Sequence, residues 1–463
     1  MPDLIPGAGP PPRGTHLQAE AIIMHEWKTS RFTVELPVED PQYSEKLTAL
    51  YQTMTGGFVL LPEEQWKGWG QGLWADADPE LTAALCEQGF LVDAGVDEGL
   101  VYDCWMQQHV HDFSTITSKT MVTRKCNNRC TYCILDPEAK EMSVHTSRAV
   151  DAFYMDFIAE KRPLRVMDDY LGGEPLLKAG LVLESAARRR AFCSRKGIDY
   201  RFTFTTNGLL LKPALVRKFT AAGLSGIRVS LAGPREIHDR LRPTKNHGKT
   251  YDRIMANLQA VSGMVPITIE CQYDSGVDDF RRLPEMLDDL KTRCIDIKEV
   301  HFSPILQKRG SSDFTCGLGD AGIALDLMKL AGQYGWAPER EAPASLCRAD
   351  FRSMLVFDTN GTLIPCPGLR EGEMAYGHAE RGVDFVAESQ LLHRRLPEKC
   401  ANECALLPLC MGGCRLQALV RENDFSGIDC QHDMLMLFLK DFILEKAAEA
   451  LAEDEPELLE IAA

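Results

Sequence analysis

Residues Lys119 to Asp136 read KTMVTRKCNNRCTYCILD: a short apolar strand, Met121 to Thr123, running into a Cys-x3-Cys-x2-Cys loop made by Cys126, Cys130 and Cys133. Three thiolates in so short a loop can hold three corners of an iron–sulfur cubane, but they leave the fourth iron without a protein ligand. A closed structural zinc site would also need a fourth ligand, and no His or Cys follows on the same loop. The stretch therefore offers a cluster with one open iron. An open metal position is a place for chemistry.

Working outward, residues Lys119 to Gly335 alternate strand and helix, which argues for parallel βα units. Strands are expected near 119–124, 164–171, 200–206, 226–232, 266–273 and 297–303. Between the first two, Val150, Phe153, Tyr154, Phe157 and Ile158 repeat with the period of an amphipathic helix. Six such units make an incomplete barrel, and in barrels function sits on the loops after the strand C-termini. The cysteine loop falls there. So do three others: Leu171-Gly172-Gly173-Glu174-Pro175, Thr206-Asn207-Gly208, and Val229-Ser230-Leu231-Ala232-Gly233-Pro234 followed by His238-Asp239-Arg240-Leu241-Arg242. The two glycines are expected to let backbone approach a ligand and expose N–H groups, with Glu174 as a fixed acceptor. His238 and Asp239 read as capping and orienting groups. Asp136, Asp168 and Asp274 lie near strand ends as candidate bases, with nothing to choose among them.

The cysteine spacing, with Tyr132 before the third thiol, resembles the radical S-adenosylmethionine (SAM) superfamily. The resemblance implies that SAM chelates the open iron through its amino and carboxylate groups, and that the reduced cluster cleaves it to a 5′-deoxyadenosyl radical that abstracts hydrogen. It implies a partial (β/α)6 TIM-like barrel over 117–335, within an α/β chain. It also implies a SAM site made by Tyr132, Gly172, Gly173, Glu174 and Asn207, with the GGE stretch at the SAM amino group, Ser230 at the ribose and Arg242 at the carboxylate. A guanidinium fork suits a carboxylate because it donates two parallel hydrogen bonds. The sequence departs from the peptide-maturase pattern at Ala232, where Asp is usual.

The C-terminal third carries Cys347, Cys366, Cys400, Cys404, Cys410, Cys414 and Cys430, with the apolar, glycine-rich Leu409-Cys410-Met411-Gly412-Gly413-Cys414-Arg415 among them. It resembles the SPASM extension of radical SAM maturases, here expected over 340–435. Soft thiolates would also accept zinc. The resemblance implies two auxiliary [4Fe–4S] clusters, hence three in all: one on Cys400, Cys404, Cys410 and Cys430, the other on Cys347, Cys366 and Cys414. Cys400 and Cys404 are one residue further apart than usual, and no cysteine precedes Cys347 in Glu341 to Leu346. The second cluster then has either an open iron or a distant ligand such as Cys316. Cys86, Cys104, Cys193, Cys271 and Cys294 lack cluster spacing and read as buried apolar thiols.

Ahead of the loop, residues 30–98 show strands at Phe32–Val38, Gly57–Leu61 and Phe90–Asp93 and helices at Pro62–Trp69 and Pro79–Gln88, a winged-helix-like module similar to the precursor-recognition domains of peptide-modifying enzymes. Residues 1–29 read as a disordered proline-rich lead, with Met24 as an alternative start, and 436–463 as a helix with a solvated acidic tail. A formal charge of −16 argues against a nucleic-acid surface, and the chain has no run of apolar residues long enough to span a membrane. Sixteen cysteines without an export signal point to metal in a cytoplasmic protein.

The function expected is hydrogen abstraction from a ribosomally made precursor peptide to form a thioether or carbon–carbon cross-link. SAM and reduced flavodoxin- or ferredoxin-type protein would serve as cofactor and electron donor. The alternative is an anaerobic sulfatase-maturing enzyme that forms formylglycine. A third reading, a non-catalytic electron carrier, needs none of Gly172, Gly173, Ser230 and Arg242.

Overall fold

The computed structural model describes residues 26–39, 46–70, 79–135, 140–306, 321–339, 341–392 and 394–452. The N-terminal unit runs β1 (Trp27–Thr29), β2 (Thr33–Val38), β3 (Leu47–Gln52), β4 (Phe58–Pro62), α1 (Glu63–Gly70), α2 (Pro79–Glu87), β5 (Leu91–Asp93) and α3 (Glu98–Val110). Strands β2, β3 and β4 form an antiparallel sheet in that order, and β1 pairs with β5. Sequence reasoning missed β3 because every one of its residues is buried, so it lacks the alternation that marks a half-exposed strand. It also missed α3, whose N-terminus is capped by the Asp97 carboxylate accepting from the N–H groups of Gly99 and Leu100.

The middle of the chain alternates as expected. It runs β6 (Thr115–Thr123), α4 (Val144–Lys161), β7 (Arg165–Gly172), α5 (Ala179–Lys196), β8 (Asp199–Thr206), α6 (Pro213–Ala221), β9 (Leu224–Leu231), α7 (Arg235–Leu241), α8 (Tyr251–Val261), β10 (Ile267–Tyr273), α9 (Leu283–Thr292), β11 (Glu299–Pro304) and α10 (Ala321–Gln333). Strands β6 to β11 are parallel and lie side by side in chain order. All their C-terminal ends therefore meet one edge of the sheet. Helices pack their apolar faces on it; in α4, Val150, Tyr154 and Ile158 are fully covered.

The C-terminal segment comprises β12 (Met354–Phe357), β13 (Thr362–Ile364), β14 (Gly377–His378), β15 (Gly382–Val383), α11 (Phe385–Leu392), α12 (Glu398–Glu403), α13 (Leu407–Cys410), α14 (Arg415–Glu422) and α15 (His432–Ala452). It is continuous with the sheet: β12 pairs parallel to β6, Met354 opposite Thr117, and β13 to β15 follow antiparallel, giving ten strands. Helix α15 is no peripheral appendage. Its Leu435, Leu439, Phe442 and Ile443 share a buried core with Val34, Leu47, Ala49 and Tyr51 of the N-terminal sheet. Among the described residues no helix is long and apolar enough to cross a membrane.

Candidate active site

The cysteine loop follows β6 and is held by backbone bonds, not by its thiols. Arg129 and Thr131 donate their N–H groups to the carbonyls of Pro243 and Leu241 at 2.8 and 2.9 Å, and Lys245 donates to Asn127 at 3.2 Å. This zips residues 127–131 against 241–245 and brings Arg242 beside the cysteines. On the other side Gly173 donates to the Thr123 carbonyl at 2.8 Å and Glu174 to that of Lys125 at 2.9 Å. A Cβ at Gly172 would stand 2.0 Å from the Thr123 oxygen, and one at Gly173 2.3 Å from that of Lys125. The glycines admit the cysteine loop itself, and the Gly173 N–H is spent on it, while both also line the cavity described below.

Glu174 differs from its expected part. It is fully buried. Its carboxylate accepts from the Leu176 N–H (3.0 Å), the Thr206 hydroxyl (2.8 Å) and the Asn207 N–H (2.8 Å). Burial pushes its pKa up, and those three donors oppose the shift. Glu174 therefore ties the loop after β7 to the loop after β8 and does not line the cavity described below. Asn207, so fixed, donates from Nδ2 to the Asn127 side chain at 2.7 Å, next to Cys126. Glu174→Gln sets an amide N–H₂ against one of these donors. A loss of about 1–3 kcal/mol of stability is expected; thermal unfolding of the variant measures it.

Tyr132 and Arg242 are buried together, the guanidinium donating to the phenol oxygen and, at 3.4 Å, to Gln272. Burial alone would lower the Arg242 pKa, but Tyr132 and Cys130 outweigh it and hold the group above its ordinary value. The Arg242 Nε has no hydrogen-bond partner among the described residues. His238 acts on this arginine through its backbone. Burial, then Arg242, lowers the His238 pKa far below normal, so the ring is neutral. Its Nδ1 accepts from the Ala232 N–H at 3.3 Å and its Nε2 faces the Thr250 hydroxyl at 3.1 Å, which donates to the Arg242 carbonyl at 2.8 Å. Asp239 caps α8, accepting from the N–H groups of Thr250 and Tyr251. Both residues orient the loop, as expected.

Cys126, Cys130, Cys133, Tyr132, Gly172, Gly173, Asn207, Ser230 and Arg242 surround one cavity of about 860 Å³. The three thiols are half-buried and form no disulfide among the described residues. Burial pushes Cys126 up to about 11, against the Asn128 N–H that bonds its sulfur, so iron would have to displace a proton there. Among the described residues no three Cys, His, Asp or Glu side chains come together tightly enough for a single ion. Three thiols on one loop at the cavity wall would suit an iron–sulfur cubane in place of a single ion.

Sequence reasoning missed the charged side chains of that cavity: Lys119, Asp169, Arg228 and Glu270. Alternation along the strands turns them inward. Arg228 donates to Glu270 at 3.3 Å, and burial raises the Asp169 carboxyl while Lys119 and Arg228 oppose it. The candidate bases fare otherwise. Asp168 points away from the cavity into a buried network with Arg189 (3.0 Å), Ser118 (2.7 Å) and Tyr200 (2.9 Å). Asp274 caps the Gly276 N–H at the surface. Asp136 lies outside the described residues.

The C-terminal thiols fall into two groups. Cys400 and Cys410 each stand near Cys404 and Cys430, whose charge would raise them beyond the effect of burial. Cys347 and Cys366, pushed by burial to about 12 and 11, each stand near Cys414. Pro367 and Gly368, directly after Cys366, line the large cavity, so the second group adjoins it. Cys316 lies outside the described residues. Of the cysteines expected to be buried, Cys193 and Cys271 are, Cys86 is partly covered, and Cys104, on the solvent side of α3, and Cys294, just past the end of α9, are exposed.

Residues 120–274 match the model of the radical SAM superfamily. Among curated proteins, the chain is 25% identical over 193 residues to an Fe-coproporphyrin III synthase of Methanosarcina barkeri, covering 41% of this chain and 45% of the relative. It is 26% identical over 198 residues to a GTP 3′,8-cyclase of Peptoclostridium acidaminophilum, covering 41% and 55%. The chain thus spans about half the length of the curated relatives it matches. Among solved structures it is similar to anSMEcpe with bound AdoMet and Kp18Cys peptide (16% identity, TM-score 0.56, 72% of this chain and 98% of that one). It is also similar to Streptococcus suis SuiB bound to precursor peptide SuiA (14%, TM-score 0.53, 88% and 100%). At these identities the likeness is one of fold. Over residues 120–274 the chain is thus similar to the radical SAM superfamily.

Proposed function

We propose that the chain is a peptide maturase that takes a hydrogen atom from a side-chain or α carbon of a ribosomally made precursor, leaving a thioether or carbon–carbon cross-link. The observation that carries this reading is a single large cavity bounded by the cysteine loop and Arg242 on one side and by the Pro367–Gly368 turn beside Cys366 on the other. When bound, SAM and the reduced cluster supply a hydrogen-abstracting carbon radical. Cys126, Cys130 and Cys133 would hold the iron. Arg242, charged and with Nε free among the described residues, would take the SAM carboxylate. Ser230 would meet the ribose, with Tyr132, Gly172, Gly173, Glu174 and Asn207 shaping the site around it.

Two auxiliary [4Fe–4S] clusters on the two C-terminal thiol groups would accept the surplus electron, the group of Cys347, Cys366 and Cys414 either keeping an open iron or using Cys316. A flavodoxin- or ferredoxin-type donor in the cytoplasm would reduce the first cluster. The peptide reading is supported by the fold likeness to two proteins solved with peptides bound. It is supported also by the three-stranded N-terminal sheet, whose edge could take up a leader segment as an added strand.

The test is to incubate the reconstituted, reduced protein and SAM with short peptides encoded beside its gene, and in parallel with a Cys-containing sulfatase-derived peptide. Loss of two hydrogen atoms per cross-link in a neighbouring peptide, read by mass spectrometry, is the expected result. Formylglycine in the sulfatase peptide would establish the alternative. Release of 5′-deoxyadenosine with no change in any peptide would overturn both.

A further inference from the structure

Four hydrogen-bond donors at one place are buried without an acceptor among the described residues: Arg31 Nε and Nη2, the Tyr102 hydroxyl and Trp105 Nε1. Native proteins leave few buried donors unpaired, because each costs on the order of 1–3 kcal/mol. Here they gather around the Cys400–Cys410 segment. The remaining Arg31 nitrogen, Nη1, donates to the carbonyl of Ala401, between Cys400 and Cys404. Tyr102 belongs to a buried cluster with Phe32 and Leu407, against which Trp105, Cys400 and Cys404 pack. The Tyr102 and Trp105 rings stack at 5.9 Å, and the Arg31 guanidinium lies 4.4 Å over the Phe32 ring, which restricts where both can point. Cys410 stands near enough to act electrostatically on the phenol. Thr53, from the end of β3, adds a bond to the Ala405 carbonyl at 2.5 Å.

None of these donors belongs to the cysteine-rich segment. Arg31 sits in the turn between β1 and β2, and Tyr102 and Trp105 lie one turn apart on α3. What they lack is a set of acceptors close to Cys400, Cys404 and Cys410. The sulfides and thiolate sulfurs of an iron–sulfur cluster are such a set.

We infer that Arg31, Tyr102 and Trp105 are hydrogen-bond donors to an iron–sulfur cluster held by Cys400, Cys404, Cys410 and Cys430, so that the N-terminal unit completes that cluster's surroundings. This rests on the reading that those four cysteines hold a cluster. Donors to cluster sulfur stabilise the reduced, more negative state, so they raise its reduction potential. They act as positioning and tuning groups, not as ligands.

The test is a redox titration of the reconstituted holoenzyme followed by electron paramagnetic resonance, with Cys400→Ala identifying the signal that belongs to this site. Tyr102→Phe removes one oxygen and keeps the ring; Trp105→Phe and Arg31→Met remove the other donors. Each is expected to move that one signal to lower potential, the triple variant furthest, with the signal of the cluster on Cys126, Cys130 and Cys133 unmoved. Loss of that cluster's irons alone, with the SAM cluster kept, is the same result in stronger form. A mere packing role would leave the potential of a loaded cluster in place. If Arg31→Met does not fold, Tyr102→Phe with Trp105→Phe decides. A titration superimposable on that of the unaltered protein overturns the inference. If Cys400→Ala removes no signal, the cluster reading itself fails; if it removes a signal that the donor variants leave unshifted, only the inference fails.

Discussion

Replacing Cys126, Cys130 and Cys133 together by alanine is expected to abolish SAM cleavage while leaving the iron of the C-terminal thiols bound. The three residues are the thiols on the cavity's own loop, and the other two thiol groups draw on none of them. The loop should survive their loss. Its path is set by the bonds of Arg129, Thr131 and Lys245 to residues 241–243 and 127, and by the close packing on Gly172 and Gly173, all of them backbone interactions. The variant should therefore fold, bind less iron by one cluster's worth, and release 5′-deoxyadenosine only at the background of the reductant. Anaerobic assay of 5′-deoxyadenosine, with iron counted on the same sample, checks both halves. Persistent cleavage would sink the assignment of the cysteine loop. Loss of all iron would show that the three sets do not load independently.

The loop was legible because three thiols in a row of eight residues have few other uses, and because an apolar strand delivers them to the functional edge of a parallel sheet. The six parallel strands were legible for the same reason: helices of the right period separate them. What stayed hidden were features that depend on partners far along the chain. Gly172 and Gly173 read as ligand-facing when the atoms that forbid a side chain are the carbonyls of Thr123 and Lys125. Glu174 read as a SAM contact when its three donors lie at Leu176, Thr206 and Asn207. Asp168 and Asp169 are neighbours in sequence, yet strand alternation sends one into the Arg189 network and the other into the cavity. Strands β12 to β15 are two to four residues long, too short to carry a period. The N-terminal unit read as separable, but the apolar face it shares with α15 means that truncation would strip the cover from Leu435, Leu439 and Phe442. The leader binding we propose is thus better probed by point changes on exposed β2 positions such as Glu35 than by deletion.

The ion pair of Arg124 and Asp358 gives the largest stability change expected of any single substitution here. Arg124 stands two residues before Cys126, and its Nε and Nη2 donate to the two Asp358 oxygens at 3.1 and 2.7 Å, with both side chains at or below 2% exposure. Nη2 also donates to the Leu369 carbonyl at 3.2 Å, three residues after Cys366. One guanidinium thus joins the cysteine loop to the turn after β12 and to the loop that closes the cavity. Such a pair gains little over apolar groups of the same shape, because desolvation cancels much of the attraction, but removing one partner strands the other charge in a dry interior. Asp358→Ala is therefore expected to cost about 3–5 kcal/mol, read as a lowered denaturation midpoint of the reconstituted protein. The Thr359 N–H, which bonds the same carboxylate at 2.7 Å, loses its acceptor as well. Arg124→Met added to Asp358→Ala should recover part of that loss, since no buried charge is then left alone. A double variant as unstable as the sum of the two singles would mean the pair is not coupled, and that the cysteine loop is tied to the C-terminal segment by packing alone.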